Sequence, residues 1–260
     1  MARISIFLNQ SPFTFSSHLQ AMDYIREASR EHQILRVFFY QDAVLAGLNN
    51  QQPIQGQPSI VELWQTLAKE VGFPLQACIA NSLRRGLFDE TEAARYNSTA
   101  NLADSFALTG LGEMAEAVAE SDQLIQFGEH TQTTHAQTTS ISGVSNASDI
   151  TIDLLIHIKT PPTLDLEPLE LGMACAAFEQ KVAFVFSGDG KRWLQKDLPA
   201  LRPGGKSASK LISALAMYDC DQVYYLAEDN NDATELSTAA PISSDAYLSL
   251  QQNSKHQLLF

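Results

Sequence analysis

Cysteine is scarce in this chain: its 260 residues carry three, at positions 78, 175 and 220. Thiols so few and so scattered cannot build a disulfide framework or a structural zinc site, which need paired, closely spaced ligands. They fit a reducing compartment. Basic charge is also short, with 17 Lys and Arg against 30 Asp and Glu and a formal net charge of −13. A standing nucleic-acid surface needs a basic patch, so direct nucleic-acid binding is not expected. Long apolar runs are missing as well. No stretch reaches the roughly 18 apolar residues of a membrane span, and no charged start leads into a short apolar segment. The protein is therefore read as soluble and cytoplasmic, with no membrane contact.

What is present describes a globular protein. Hydrophobic residues make up 45% and charged residues 18%, enough for one large core or two cores of about 110 to 130 residues each. The chain divides in the middle. Residues 128–149 read G-E-H-T-Q-T-T-H-A-Q-T-T-S-I-S-G-V-S-N-A-S-D, a polar tract that cannot offset the entropy of ordering itself. It is expected to be a flexible linker between two domains, 1–127 and 150–260. His130 and His135 within it stand five apart, the wrong spacing for one helical face, and have no further ligand beside them. They read as solvated linker histidines, and no metal is expected.

Both halves alternate strand and helix patterns. Before the linker, strands are expected at Ile4–Leu8, Ile34–Phe39, Leu75–Ala80 and Gln123–Phe127, with helices at Ser17–Ser29, Ser59–Glu70 and about Gly112–Glu120. After it come strands at Ile152–Ile158, Val182–Phe186, Gln222–Leu226 and Gln257–Phe260, with helices near Glu167–Glu179, Ser209–Met217 and Asp245–Gln252. This alternation predicts an α/β protein with parallel sheets covered by helices on both faces. The halves also echo each other in text: H-Q-I-L-R-V-F-F-Y-Q-D-A-V-L from His32 runs parallel to E-Q-K-V-A-F-V-F-S-G-D-G-K-R-W-L from Glu179, and D-Q-L-I-Q-F is matched by H-Q-L-L-F.

Cys78 is the residue on which chemistry could rest. It lies near the end of the expected strand Leu75–Ala80, which starts after Pro74 and stops at Asn81-Ser82, so its thiol is expected at the rim of a sheet. Arg84 and Arg85 follow, and nearby cations favour the thiolate that does chemistry. A free cysteine here serves either as such a nucleophile or as a small core hydrophobe.

The run C-I-A-N-S-L-R-R-G-L-F-D-E-T-E-A-A-R from Cys78, with S-F-A-L-T-G-L-G-E-M-A-E-A and S-D-Q-L-I-Q-F after it, resembles the DsrE/DsrF-like sulfur-relay family, in particular its TusD branch. The resemblance spans Met1–Phe127. It implies a first domain that accepts sulfane sulfur as a persulfide on Cys78 and passes it on, a sulfurtransferase activity that needs no cofactor. Ser82, Arg84 and Arg85 become candidates to activate the thiol or hold the anionic sulfur, while a solvated basic turn is the plainer reading of the two arginines. A weaker resemblance, carried by A-F-V-F-S-G-D-G, Trp193 and the closing strand, likens 150–260 to the TusC branch. Together they imply two tandem DsrE/DsrF-like domains.

The second domain is expected to lack the nucleophile. Aligning the halves puts Tyr225 or a neighbour where Cys78 sits, followed by the acidic A-E-D-N-N-D, whose carboxylates would raise a thiol's pKa. Cys175 reads as helix core and Cys220, between Asp219 and Asp221, as electrostatically unsuited to attack. The resemblance further implies a TusA-like sulfur donor, a TusE-like acceptor, a separate TusB-like subunit, a homo-oligomer, and sulfur bound for 2-thiouridine at the tRNA wobble position. A sulfur-oxidation relay and a non-catalytic assembly scaffold are the alternatives. Gly110 and Gly112 in T-G-L-G-E are read as a turn into a helix that follows no strand, not a phosphate loop, since Ala115 replaces the third glycine. F-S-G-D-G-K-R from Phe186 and L-R-P-G-G-K-S from Leu201 likewise lack phosphate-loop spacing.

Overall fold

The computed structural model describes residues 1–14, 16–128, 152–227 and 239–260. Two compact units lie on either side of residues 129–151. The expected linker falls outside the described residues from position 129 onward, as do His130 and His135.

The first unit runs β1 (Arg3–Leu8), α1 (Ser17–Ala28), β2 (Gln33–Phe39), a 3-10 turn over Gln41–Gly47, α2 (Ile60–Val71), β3 (Leu75–Cys78), α3 (Ile79–Arg84), α4 (Glu90–Arg95), β4 (Phe106–Thr109), α5 (Leu111–Glu120) and β5 (Gln123–Phe127). Its five strands are all parallel in the order β4-β3-β2-β1-β5. Local chemistry sets the element ends. Ser59 and Glu62 cap α2 reciprocally, Ser59 N–H donating to Glu62 Oε2 at 2.7 Å and Glu62 N–H to Ser59 Oγ at 3.3 Å. Gly72 ends that helix at φ +89°, a left-handed conformation that suits glycine.

Alternation along the strands sorts the side chains into two faces. Ile4, Ile6, Leu8, Val37, Phe39, Leu75 and Ala77 point to the face that α1 and α2 cover with Met22, Ile25, Trp64 and Leu67. Ser5, Phe7, Arg36, Phe38, Gln76, Cys78 and Thr109 point the other way, toward α5. Arg36 marks that side: its guanidinium donates to Glu120 at 2.6 Å, to Glu116 at 3.3 Å and to the Glu113 carbonyl at 3.1 Å, all on α5.

The second unit repeats the plan: β6 (Ile152–Ile158), α6 (Glu167–Ala177), β7 (Val182–Phe186), a 3-10 turn over Gly188–Leu194, α7 (Ala208–Ala214), β8 (Gln222–Leu226), β9 (Ala240–Ile242), α8 (Ser244–Gln252) and β10 (Ser254–Leu259). Its parallel order, β10-β6-β7-β8-β9, is the first unit's order strand for strand. α6 lies close against β7 at Gly172, where a Cβ would collide with the Phe184 ring.

Several sequence-based boundaries are corrected. The strand expected over Leu75–Ala80 stops at Cys78, and Ile79–Arg84 is helical. Strand β4 was not expected, so Gly110 does follow a strand, and the T-G-L-G-E turn joins it to α5. Strand β9 was also missed: it is three residues long and contains Pro241, which a sheet tolerates at an edge such as this one.

Candidate functional site

Cys78 is the last residue of β3 and the residue before the first turn of α3. It therefore stands at the C-terminal ends of parallel strands, where open α/β sheets place their ligand crevices. Its side chain leaves the sheet on the α5 face. On one side Thr109 of β4 is its register partner, and on the other Tyr40 follows Phe39, the partner of Ala77. Tyr40, Phe7 and Phe38 form an aromatic group beside it, with ring centroids 5.8 to 6.4 Å apart.

The thiol expected at the rim of the sheet is covered there: Cys78 is 1% exposed. The strand does end at the rim, but the chain turns there directly into α3, which packs on β4 and on the turn over Gln41–Gly47. Two polar contacts pin α3 to that turn. Asn81 Oδ1 accepts from the Gln41 backbone N–H at 2.6 Å, and Arg85 Nε donates to Asp42 Oδ1 at 2.7 Å. Gln41 sits at φ +48°, a strained setting for a residue other than glycine. The Asn81 bond and a further one, from Asn9 Nδ2 to Gln41 Oε1 at 3.2 Å, hold it there. Gln126 Nε2 continues the line by donating to Asn9 Oδ1 at 3.2 Å. A row of amides thus crosses the strand ends from β5 to α3.

The four residues singled out from the sequence are placed as follows. Cys78 and Ser82 are both buried, and Ser82 Oγ has no hydrogen-bond partner. Arg84 is exposed, whereas Arg85 is half-buried with its charge directed at Asp42. Sequence reasoning missed Asn81, Asp42 and Thr109. Asn81 was legible only as a strand stop, and Thr109 needed the unrecognised β4.

On the opposite face a buried relay fixes the loop after β1. The indole N–H of Trp64, a donor only, bonds His18 Nδ1 at 3.1 Å, leaving Nε2 to donate to the Gln10 carbonyl at 2.9 Å. Burial lowers the His18 pKa to about 4, against a weaker opposing effect of the Gln10 bond, so the ring is neutral at pH 7.

In the second unit the register position of Cys78 belongs to Leu226, one residue beyond Tyr225: Phe186 pairs with Tyr225 as Phe39 pairs with Ala77. The acidic segment beyond Ala227 lies outside the described residues. Where the first unit has Phe7, Tyr40 and Met114, the second has His157, Ser187 and Tyr247. His157 Nε2 lies 2.7 Å from Ser187 Oγ and Nδ1 lies 2.7 Å from the Tyr247 hydroxyl. Burial, with a smaller push from Lys159, lowers the His157 pKa to about 4. The remaining thiols are poor nucleophiles. Burial, then Cys220, pushes Cys175 up to about 12; burial, then Asp219 and Asp221, pushes Cys220 up to about 11. Among the described residues no group of three or more His, Cys, Asp or Glu side chains could hold a metal ion. Nor is any helix among them long and apolar enough to cross a membrane.

Comparison with known proteins places the similarity in the first unit. Residues 2–127 match the model of the DsrE/DsrF-like family. A protein named DsrE from Allochromatium vinosum is 33% identical over 129 residues, 49% of this chain and 99% of that protein. The sulfurtransferase TusD homolog of Vibrio parahaemolyticus is 41% identical over 97 residues, 37% of this chain and 74% of its own length. Sulfurtransferase TusD of Erwinia tasmaniensis is also 41% identical over 97 residues, covering 37% and 76%. The solved ychN protein of E. coli aligns with 49% of this chain and all of its own, at 25% identity and a TM-score of 0.39. With the family model matched across the first unit, and a relative matched over nearly its whole length, this chain belongs to the DsrE/DsrF-like family.

Proposed function

We propose that the chain is a sulfur-relay sulfurtransferase that carries sulfane sulfur as a persulfide on Cys78. The observation that carries this reading is the placement of Cys78: a cysteine outside any disulfide, at the C-terminal end of a parallel strand, inside the segment that matches a family with relatives named sulfurtransferase. The thiolate of Cys78 attacks the outer sulfur of a donor persulfide. The donor S–S bond breaks, the donor leaves as its thiolate, and a new S–S bond joins the outer sulfur to Sγ. An acceptor thiolate then attacks that outer sulfur and frees Cys78 again. Each step is an exchange between thiolate and disulfide-like sulfur, with no net oxidation and no cofactor.

Because Cys78 is covered in the closed fold, transfer requires α3 to lift from the turn over Gln41–Gly47. Asn81 and the Arg85–Asp42 pair are the contacts that must release. Ser82, Arg84 and Arg85 remain candidates for binding the transferred sulfur: Ser82 from inside, and the arginines once α3 has moved. The burial of Cys78 favours one competing reading, a non-catalytic scaffold in which both units only pack against partners. Thiol chemistry separates the two.

On the family resemblance, the first unit takes the TusD role and the second, with Leu226 in place of the cysteine, the TusC role. A TusA-like donor, a TusE-like acceptor and a TusB-like subunit then complete a cytoplasmic homo-oligomeric relay toward tRNA thiolation. A role in sulfur oxidation uses the same Cys78 chemistry with other partners. The test is transfer of labelled sulfur from a persulfidated donor protein to the wild-type chain and to Cys78→Ser. Wild type is expected to become labelled and the variant to stay bare. Equal labelling of both would refute Cys78 as the carrier, and no labelling of either would favour the scaffold.

A further inference from the structure

Six buried side-chain polar atoms among the described residues lack a hydrogen-bond partner, and two of them are hydroxyls beside Cys78: Ser82 Oγ and Thr109 Oγ1. Several other buried polar groups of this unit are paired, among them Asn81 with Gln41, Trp64 with His18, and Ser121 with Ser5, while Ser17 Oγ, Gln76 Oε1 and Glu92 Oε2 are not. An unpaired buried hydroxyl costs stability, so two at one strand end call for a partner. A third such atom, Gln76 Oε1, points to the same sheet face two residues earlier, but it is an acceptor and cannot stabilise an anion.

Geometry identifies what the hydroxyls would meet. Thr109 is the direct register partner of Cys78, so both side chains leave the sheet on one face from strands about 4.8 Å apart. Ser82 stands one turn into the helix that begins after Cys78. A sulfur bonded to Sγ projects about 2 Å further than the thiol, and brings negative charge to this strand end. Arg85 is engaged with Asp42, and Arg84 is exposed.

We propose that the Thr109 and Ser82 hydroxyls seat the outer sulfur of the Cys78 persulfide, each donating a hydrogen bond to it. The inference rests on Cys78 being the carrier and adds Thr109 as a residue of the site. In the unloaded protein the two donors are unsatisfied; loading satisfies both.

The test uses the full chain as wild type, Thr109→Val, Thr109→Ser and Ser82→Ala. Cys78 is loaded with inorganic polysulfide, excess is removed, and loss of the outer sulfur to cyanide is followed as thiocyanate. Cyanide forms a bond to the outer sulfur, the S–S bond breaks, and Cys78 is left as its thiolate. Thr109→Val is expected to lose its cargo roughly tenfold faster, the effect of one hydrogen bond to a charged group. Ser82→Ala should change in the same direction, and Thr109→Ser should behave as wild type. Alkylation of unloaded Cys78 should stay within about twofold of wild type in Thr109→Val, and unloaded Thr109→Val should melt at or above wild type, because it loses an unpaired buried hydroxyl. Equal cargo loss in wild type and Thr109→Val overturns the assignment and leaves Cys78 as the carrier. A fast loss that Thr109→Ser does not restore also overturns it, since shape and not the hydroxyl would then be responsible. If wild-type Cys78 takes up no sulfur at all, the carrier reading fails and this inference with it.

Discussion

Substituting Asn81→Ala should make Cys78 easier to reach, and the size of the effect follows from one bond. Asn81 Oδ1 accepts the Gln41 backbone N–H at 2.6 Å from a side chain that is 1% exposed. Removing the acceptor leaves that N–H unpaired in the closed state, while in the opened state water supplies a partner. The closed state should therefore lose about 1 to 2 kcal/mol, and since about 1.4 kcal/mol is tenfold, opening becomes roughly 5- to 30-fold more frequent. The strained Gln41 backbone, at φ +48°, adds to the same side once its anchor is gone. Alkylation of Cys78 by a small reagent in large excess reads this directly, because the rate is the opening equilibrium multiplied by the intrinsic thiolate rate. Asp42→Ala should act more weakly, by about two- to fivefold, because the Asp42 side chain is 58% exposed and solvent screens the pair. Low urea separates local lifting of α3 from global unfolding: the local route has a shallow dependence on denaturant, the global one a steep one. Labelling of Cys175 and Cys220 serves as the internal reference and should not change. An Asn81→Ala rate equal to wild type, or a rise seen only with the steep dependence, would refute the claim that α3 is the cover that moves.

Three further outcomes follow from the packing. His18 and His157 are each held neutral with pKa values near 4. Between that value and the unfolded value of about 6.5 the unfolded chain binds protons that the folded chain refuses, so stability is full above pH 6.5 and falls as the pH drops toward 4, by up to about 3 kcal/mol per histidine. Urea titrations at pH 7 and pH 4.5, read through Trp64 in a Trp193→Phe background, should show this for the first unit and a smaller difference in His18→Gln; an identical difference would exclude His18 as the cause. Gly172→Ala should destabilise the second unit by about 1 to 3 kcal/mol through overpacking against Phe184 and Ile156, and an unchanged melting transition followed through Trp193 would contradict that contact. Finally, Cys175 and Cys220 should alkylate far more slowly than Cys78 in Asn81→Ala at pH 7.5, as burial keeps both protonated; comparable rates would contradict it.

Much of this architecture was legible in the chain because the main strands are dense, alternating or fully apolar runs. Ile4–Leu8, Val182–Phe186 and Ile152–Ile158 announce buried parallel strands, and the matched text around Phe39 and Phe186 announces the repeat that the identical strand orders display. The edge strands β4 and β9 were not legible: four and three residues are too few to establish a period, and Pro241 argues against a strand unless the edge is known. At the site, Cys78 could be named from its place after an apolar run, but its burial could not. That depends on α3, which six residues of mixed polarity, I-A-N-S-L-R, do not signal by hydrophobic spacing. Thr109 and Asp42 come to the site through register and a 3-10 turn, and neither leaves a mark in local sequence. The basic pair was legible as charge near a cysteine, but the bond from Arg85 to Asp42 depends on the 3-10 turn and was not.

The most direct measurement is the intact mass of the Cys78 peptide after the full chain meets a persulfidated donor under non-denaturing conditions. One added sulfur on that peptide, removable by a thiol acceptor and absent from the peptides of Cys175 and Cys220, is the predicted result. A Cys78 peptide that stays at its unmodified mass while the donor is demonstrably charged would contradict the account.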